Sequence, residues 1–225
     1  MVLAALHRPP RPHLRIRVHA DPAHLGGKIL PAISALTTDL VQQRLASGLS
    51  VEPYEQEIER YGGTPHSMDA AEQVFISDSR LALAALTAEP DPDQRIVIAA
   101  LSAAAITRAL ADGDRAALAG HHLDRQTRRR FTELRPRTRA AAKTTPAGTA
   151  ALPTTHPAWT ARQQALTTYR DTLHPARRTD CASSLTHMHI NRLLGGTAAE
   201  SLTRALAVDL LYASDPALAP GRRPD

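Results

Sequence analysis

The sequence predicts an α+β fold, a small sheet near the N-terminus packed with a mostly helical C-terminal part. Three observations carry this expectation. Residues 13–19 (HLRIRVH) alternate, with Leu14, Ile16 and Val18 on one face and Arg15 and Arg17 on the other, which is the period of a strand. Residues 49–54 (LSVEPY) read as a second short strand. From His66 onward apolar residues recur at helical spacing. Aromatics are scarce there and elsewhere (two Phe, four Tyr, one Trp), so Ala and Leu are expected to fill a helical core.

The elements follow in order. After the first strand, Gly26 and Gly27 are expected to turn the chain into a helix over 28–47. Ile29, Ile33, Leu36, Leu40, Val41 and Leu45 form its apolar stripe, and Gly48 stops it. The strand near 49–54 completes a small strand–helix–strand unit. Ser67 is placed to cap a helix beginning near Met68, with Asp69 in its first turn and Ala70, Val74 and Leu81 on its apolar face. Further helices are expected over 95–111, 115–130, 159–173, 183–194 and 197–212, the last opening on Thr197 with Glu200 at capping-box spacing. Residues 140–157 are Ala, Thr and Pro without a period and read as a flexible loop. The organisation expected is a single domain over 1–214, with a flexible basic, Pro/Thr-rich insertion at about 134–157 and a frayed tail over 215–225.

Composition removes several classes of function. One cysteine, Cys181, rules out an internal disulfide and a Cys-based zinc site. No run reaches the roughly 18 apolar residues of a membrane span. The basic residues follow the N-terminal apolar stretch instead of preceding it, so a secretory layout is not expected and a cytoplasmic location is. No GxGxxG, GxxxxGK[ST], GxSxG or HExxH occurs. The net charge of +5 is local: residues 121–143 hold eight basic and two acidic side chains, which leaves the remainder at −1. Such a cluster can attract nucleic acid or an acidic peptide, or be a solvated helix running into a linker; no aromatic ladder accompanies it.

Two short clusters carry chemistry. In YEQEIERYGG (54–63), acids, Arg60 and Tyr61 crowd into a segment ending in paired glycines, which suits a tight turn or close backbone approach. In SSLTHMHINRLLGG (183–196), a helix places His187 and Asn191 on one face and His189 about 200° from His187, so the two histidines cannot share one metal ion.

Taken in order, PHLRIRVH, YEQEIERYGG, MDAAEQVFISDS and SSLTHMHINRLLGG resemble the C-terminal, glutamate-elimination domain of lantibiotic dehydratases, a resemblance that covers roughly residues 12–212. That family also includes stand-alone thiopeptide-type bacteriocin biosynthesis proteins. The resemblance implies a reaction. A separate glutamylating subunit, dependent on glutamyl-tRNA, esterifies Ser or Thr of a precursor peptide. The elimination domain then expels glutamate to leave dehydroalanine or dehydrobutyrine. Direct tRNA contact, a membrane, a metal and a cofactor are not implied. Matching the motifs assigns catalytic roles to His187, Arg17 and Arg60, and substrate binding to Arg15, Tyr61, Asn191 and Arg192. The chemistry is consistent with that task. Removing a weakly acidic Cα proton needs a base that is neutral near pH 7, and holding glutamate needs a bidentate cation. The chain departs from the family in having only twelve residues before His13, so a neighbouring strand is expected to be missing or supplied by a partner. Two other readings stay open: a stand-alone [4+2] cyclase that forms the pyridine of thiopeptides, and a non-catalytic precursor-peptide-binding module.

Overall fold

The computed structural model describes residues 2–6, 13–120, 122–143, 156–196 and 198–214. It is mostly helical, which corrects the α+β expectation. β-structure among the described residues is one antiparallel pair, β1 (Val2–Leu6) with β2 (His13–Arg17), in which Ala4 lies opposite Arg15. The neighbour that β2 requires therefore comes from the chain itself. Residues 49–54 are irregular, and Leu49, Val51 and Tyr54 are exposed. Their apolar content resembles a strand, but the sheet among the described residues is the β1–β2 pair and residues 49–54 do not join it.

After β2 the chain is helical sooner than expected. Asp21 accepts from the His24 amide at 2.9 Å and caps α1 (Pro22–His24), which runs through a π turn (Leu25–Ile29) into α2 (Leu30–Gln42). Gly26 and Gly27 lie inside this helical run instead of forming a turn. None of α1, the π turn or α2 contains a buried residue.

The body is a bundle of six helices: α3 (Pro65–Thr87), α4 (Pro92–Ala111), α5 (Arg125–Lys143), α6 (Pro157–Thr172), α7 (Arg178–Leu194) and α8 (Glu200–Ala213). Thr64, not Ser67, is the N-cap of α3; Ser67 is the reciprocal partner of its capping box, and Asp91 with Gln94 forms the same device on α4. Residues 115–118 form a separate 3-10 turn ahead of α5, which starts at Arg125 and continues to Lys143, into the stretch expected to be a flexible insertion. Residues 144–155, the tail from 215 and Thr197 lie outside the described residues.

α4 is central and packs on α5, α6, α7 and α8. Its Ala99, Ala100, Ala103 and Ala104 are fully buried, and such small side chains let neighbouring backbones approach closely. This helix is long and apolar enough to cross a membrane, yet two-thirds of that window is buried inside the protein, as a core helix would be. A second cluster, with Met68, Phe75, Leu110, Leu166, Tyr169 and Leu185, joins α3, α4, α6 and α7. The β1–β2 pair rests against α3 and α7 through β1, which brings the N-terminal arginines to the α7 side of the molecule.

Candidate active site

The glycine segment is what joins the early arginines to α7. A 3-10 turn (Ile58–Tyr61) closes at Gly62, whose φ of 114° lies in the left-handed region. A side chain is barred there on a second count: a Cβ on Gly62 would stand 2.5 Å from Ser67 Oγ and 2.6 Å from Leu173 Cδ2. Tyr61, at the end of the turn, is 2% exposed and meets Phe75 edge to face at 4.8 Å, anchoring the turn in the core. The Cys181 thiol lies 3.8 Å from the Arg60 carbonyl, and Arg177, just ahead of α7, donates to the Glu59 carbonyl, so the start of α7 and the residue before it hold the turn by its backbone.

This leaves the Arg60 side chain on the surface beside α7. Its Nε donates to Ser184 Oγ at 3.3 Å and its Nη1 to Glu57 Oε2 at 3.0 Å. Arg17 comes to the same carboxylate, with Nη2 3.8 Å from Glu57 Oε1 and the guanidinium 4.5 Å above the Tyr54 ring. Two arginines more than forty positions apart thus flank one carboxylate. Arg15, two residues from Arg17 on the same strand face, is exposed, and no hydrogen bond or ion pair joins it to another described residue.

Along α7, Ser184, His187, Met188 and Asn191 share a face by helical spacing. The His187 side chain is 34% exposed. Its Nδ1 lies 2.9 and 3.1 Å from the two carboxylate oxygens of Glu200, and its Nε2 lies 3.0 Å from Asn191 Nδ2. A carboxylate on Nδ1 and an amide donor on Nε2 fit the neutral tautomer with its proton on Nδ1. Burial would push the Glu200 carboxyl up, but the His187 hydrogen bond and the Arg204 guanidinium outweigh it and hold the group down to about 2.

His189 points the other way. It is 1% exposed and its Nδ1 lies 2.7 Å from Asp78 Oδ1. Asp78 also accepts from Arg192 Nη1 at 2.7 Å and from Arg162 Nη1 at 3.3 Å. Burial would raise the Asp78 carboxyl, yet His189, Arg192 and Arg162 together hold it well below the usual carboxylate range. Of the residues expected to bind substrate, Tyr61 and Arg192 are therefore in the core, Asn191 is buried against His187, and Arg15 stands in solvent. Arg17, Arg60 and His187 are brought to the same side of the molecule. Sequence reasoning passed over three acids here. Glu57 was one of the unassigned acids of the 54–63 cluster, Glu200 read as a capping residue, and Asp78 received no role; only their spatial neighbours distinguish them.

The basic cluster is largely neutralised. Arg129 and Arg130 bond Glu133, Arg130 also reaches Asp93, Arg137 lies 3.3 Å from Asp91, and Arg135 and Arg139 close on Asp209 at 2.9 and 2.6 Å. These arginines tie α5 to α4 and α8.

The chain belongs to the family described as lantibiotic biosynthesis dehydratase C-term, which matches residues 7–212. It is 37% identical over 75 residues to the subtilin biosynthesis protein SpaB of Bacillus subtilis, a match that covers 33% of this chain and 7% of SpaB. Its fold is similar to that of the tRNA-dependent lantibiotic dehydratase MibB from Microbispora sp. 107891, with a TM-score of 0.65 and 21% identity over 92% of this chain. The chain spans only 24% of MibB's length.

Proposed function

We propose that this chain eliminates glutamate from O-glutamylated Ser or Thr residues of a ribosomal precursor peptide, giving dehydroalanine or dehydrobutyrine. A separate subunit that draws on glutamyl-tRNA supplies the ester, and both work in the cytoplasm. The observation that carries this reading is the closure of Arg17 and Arg60 on a single carboxylate beside the α7 face that bears His187. A clamp that holds the Glu57 carboxylate has the charge and geometry to hold the carboxylate of a glutamyl group. His187 Nε2 takes the Cα proton, with Asn191 yielding its place to the substrate. The C–H electrons form the Cα=Cβ bond, the Cβ–O bond breaks, and glutamate leaves as a carboxylate, which needs no strong acid. The clamp also stabilises negative charge that develops as the proton leaves.

Incubation with a synthetic peptide bearing one O-glutamylserine tests the reading by mass. Loss of glutamate with formation of dehydroalanine is expected. Inert peptide contradicts the proposal. Cleavage of a leader segment from a dehydroamino-acid peptide, with the glutamylated peptide untouched, marks the cyclase instead.

A further inference from the structure

Beyond the three residues assigned to the chemistry, His187 is backed by a buried chain of polar groups. We infer that Glu200 is a positioning residue for His187, which fixes the imidazole with its proton on Nδ1 and its lone pair on Nε2, and that Arg204 holds Glu200 in place. The inference rests on the reading of His187 as the base.

The geometry is specific. Glu200 is 5% exposed and sits in the first turn of α8, facing α7 across the bend that joins the two helices. Both of its oxygens lie within 3.1 Å of Nδ1, while Nε2 faces Asn191 Nδ2 at 3.0 Å. Arg204, one helical turn further on and 3% exposed, donates its Nε to Glu200 Oε1 at 2.9 Å. Its Nη2 lies 2.9 Å from the same Glu200 oxygen and also donates to the Ser183 carbonyl at 3.1 Å, while Nη1 donates to the Ala117 carbonyl at 2.9 Å. Arg204 is thereby tied to the 3-10 turn (Arg115–Leu118) and to α7.

Such an arrangement has a chemical consequence. A neutral imidazole carries its proton on one nitrogen, and the hydrogen bond made by that nitrogen decides which one. A carboxylate acceptor at Nδ1 keeps the lone pair at Nε2. It also favours the imidazolium that forms when Nε2 takes a proton. A side chain present only to pack or cap the helix would do neither. Glu200 contacts an imidazole and a guanidinium.

The test combines kinetics on the O-glutamylseryl peptide with nitrogen-15 chemical shifts of His187 in the uncomplexed protein. In the unaltered chain the shifts are expected to report a protonated Nδ1 and a bare Nε2. Glu200→Ala is expected to lower kcat by about 100-fold or more with KM within about threefold, and to leave a mixture of tautomers. Glu200→Gln keeps the volume and one acceptor oxygen but loses the charge. It is expected to preserve the tautomer and to lose about tenfold or more in kcat, and it decides the matter should the alanine variant fail to fold. Unchanged kcat in the glutamine variant, or an unchanged tautomer in a folded alanine variant, overturns the inference. His187→Ala separates the two claims. Retained elimination there overturns His187 as base, while the shifts of the unaltered chain and the Glu200 variants still report whether Glu200 sets the ring.

Discussion

His187 and His189 lie two residues apart on α7, and the helical rotation between them leaves His187 partly exposed against Glu200 and sends His189 to Asp78 in the core. The core residue is the more consequential for stability. Asp78 is the one carboxylate that Arg162 and Arg192 share, and both guanidiniums are buried. Asp78→Ala is expected to cost about 3–5 kcal/mol in chemical denaturation, since it removes the carboxylate that pairs with two buried guanidiniums; a loss below about 1 kcal/mol would contradict this account of the core. Acid should weaken the fold through both carboxylates. Each has a folded pKa below its unfolded value, so its contribution is complete above the unfolded value and is lost as pH falls. For Glu200 the window runs from its ordinary 4.5 down to about 2. Melts of Glu200→Gln should therefore depend less steeply on pH in that window than those of the unaltered chain. Equal slopes would contradict the pairing of Glu200 with His187 and Arg204.

Among the elements, the 3-10 turn at 58–61 with its paired glycines does the most to assemble the site, because it holds Arg60 against α7. Gly62→Ala combines a positive φ with contacts of 2.5 and 2.6 Å, and is expected to destabilise by about 2–4 kcal/mol and to weaken elimination by displacing Arg60. A stable variant with full activity would show that the turn does not position Arg60. The paired glycines announced this turn in the sequence, and the spacing of His187, Asn191 and His189 announced the faces of α7. The strand expected at 49–54 failed because a local reading describes one chain segment, whereas a strand needs a neighbour. The arginines of α5 looked available for an acidic or nucleic-acid partner because their acids, Asp91, Asp93 and Asp209, lie on helices distant in sequence. Charge runs are legible in a sequence; their pairing across a bundle is not. Glu200 was legible only as a possible cap, since nothing local connects it to an imidazole thirteen positions earlier.

At the scale of the molecule, a tight helical bundle carries a looser N-terminal portion. α4 is buried along most of its length, while α2 contains no buried residue and leaves Leu30, Leu36 and Val41 at 40% exposure or more. Hydrogen exchange should therefore be slowest in α4 and α7 and fastest among the helices in α1 and α2. Comparable protection in α2 and α4 would contradict the description of α2 as unsupported in the isolated chain. The bundle depends on Ala-rich packing and the Asp78 cluster, and it fixes α7; the surface of α7 then receives the arginines that β2 and the glycine turn deliver. The account stands on the joint action of those groups. The most direct measurement is glutamate release from an O-glutamylseryl peptide by the unaltered chain and by Arg17→Ala, Arg60→Ala and His187→Ala, each verified as folded. The expected result is turnover by the unaltered chain, loss of about 100-fold or more in each variant, and intact glutamylated peptide in all three. Absence of turnover by the unaltered chain, or variants as active as it is, would contradict the account.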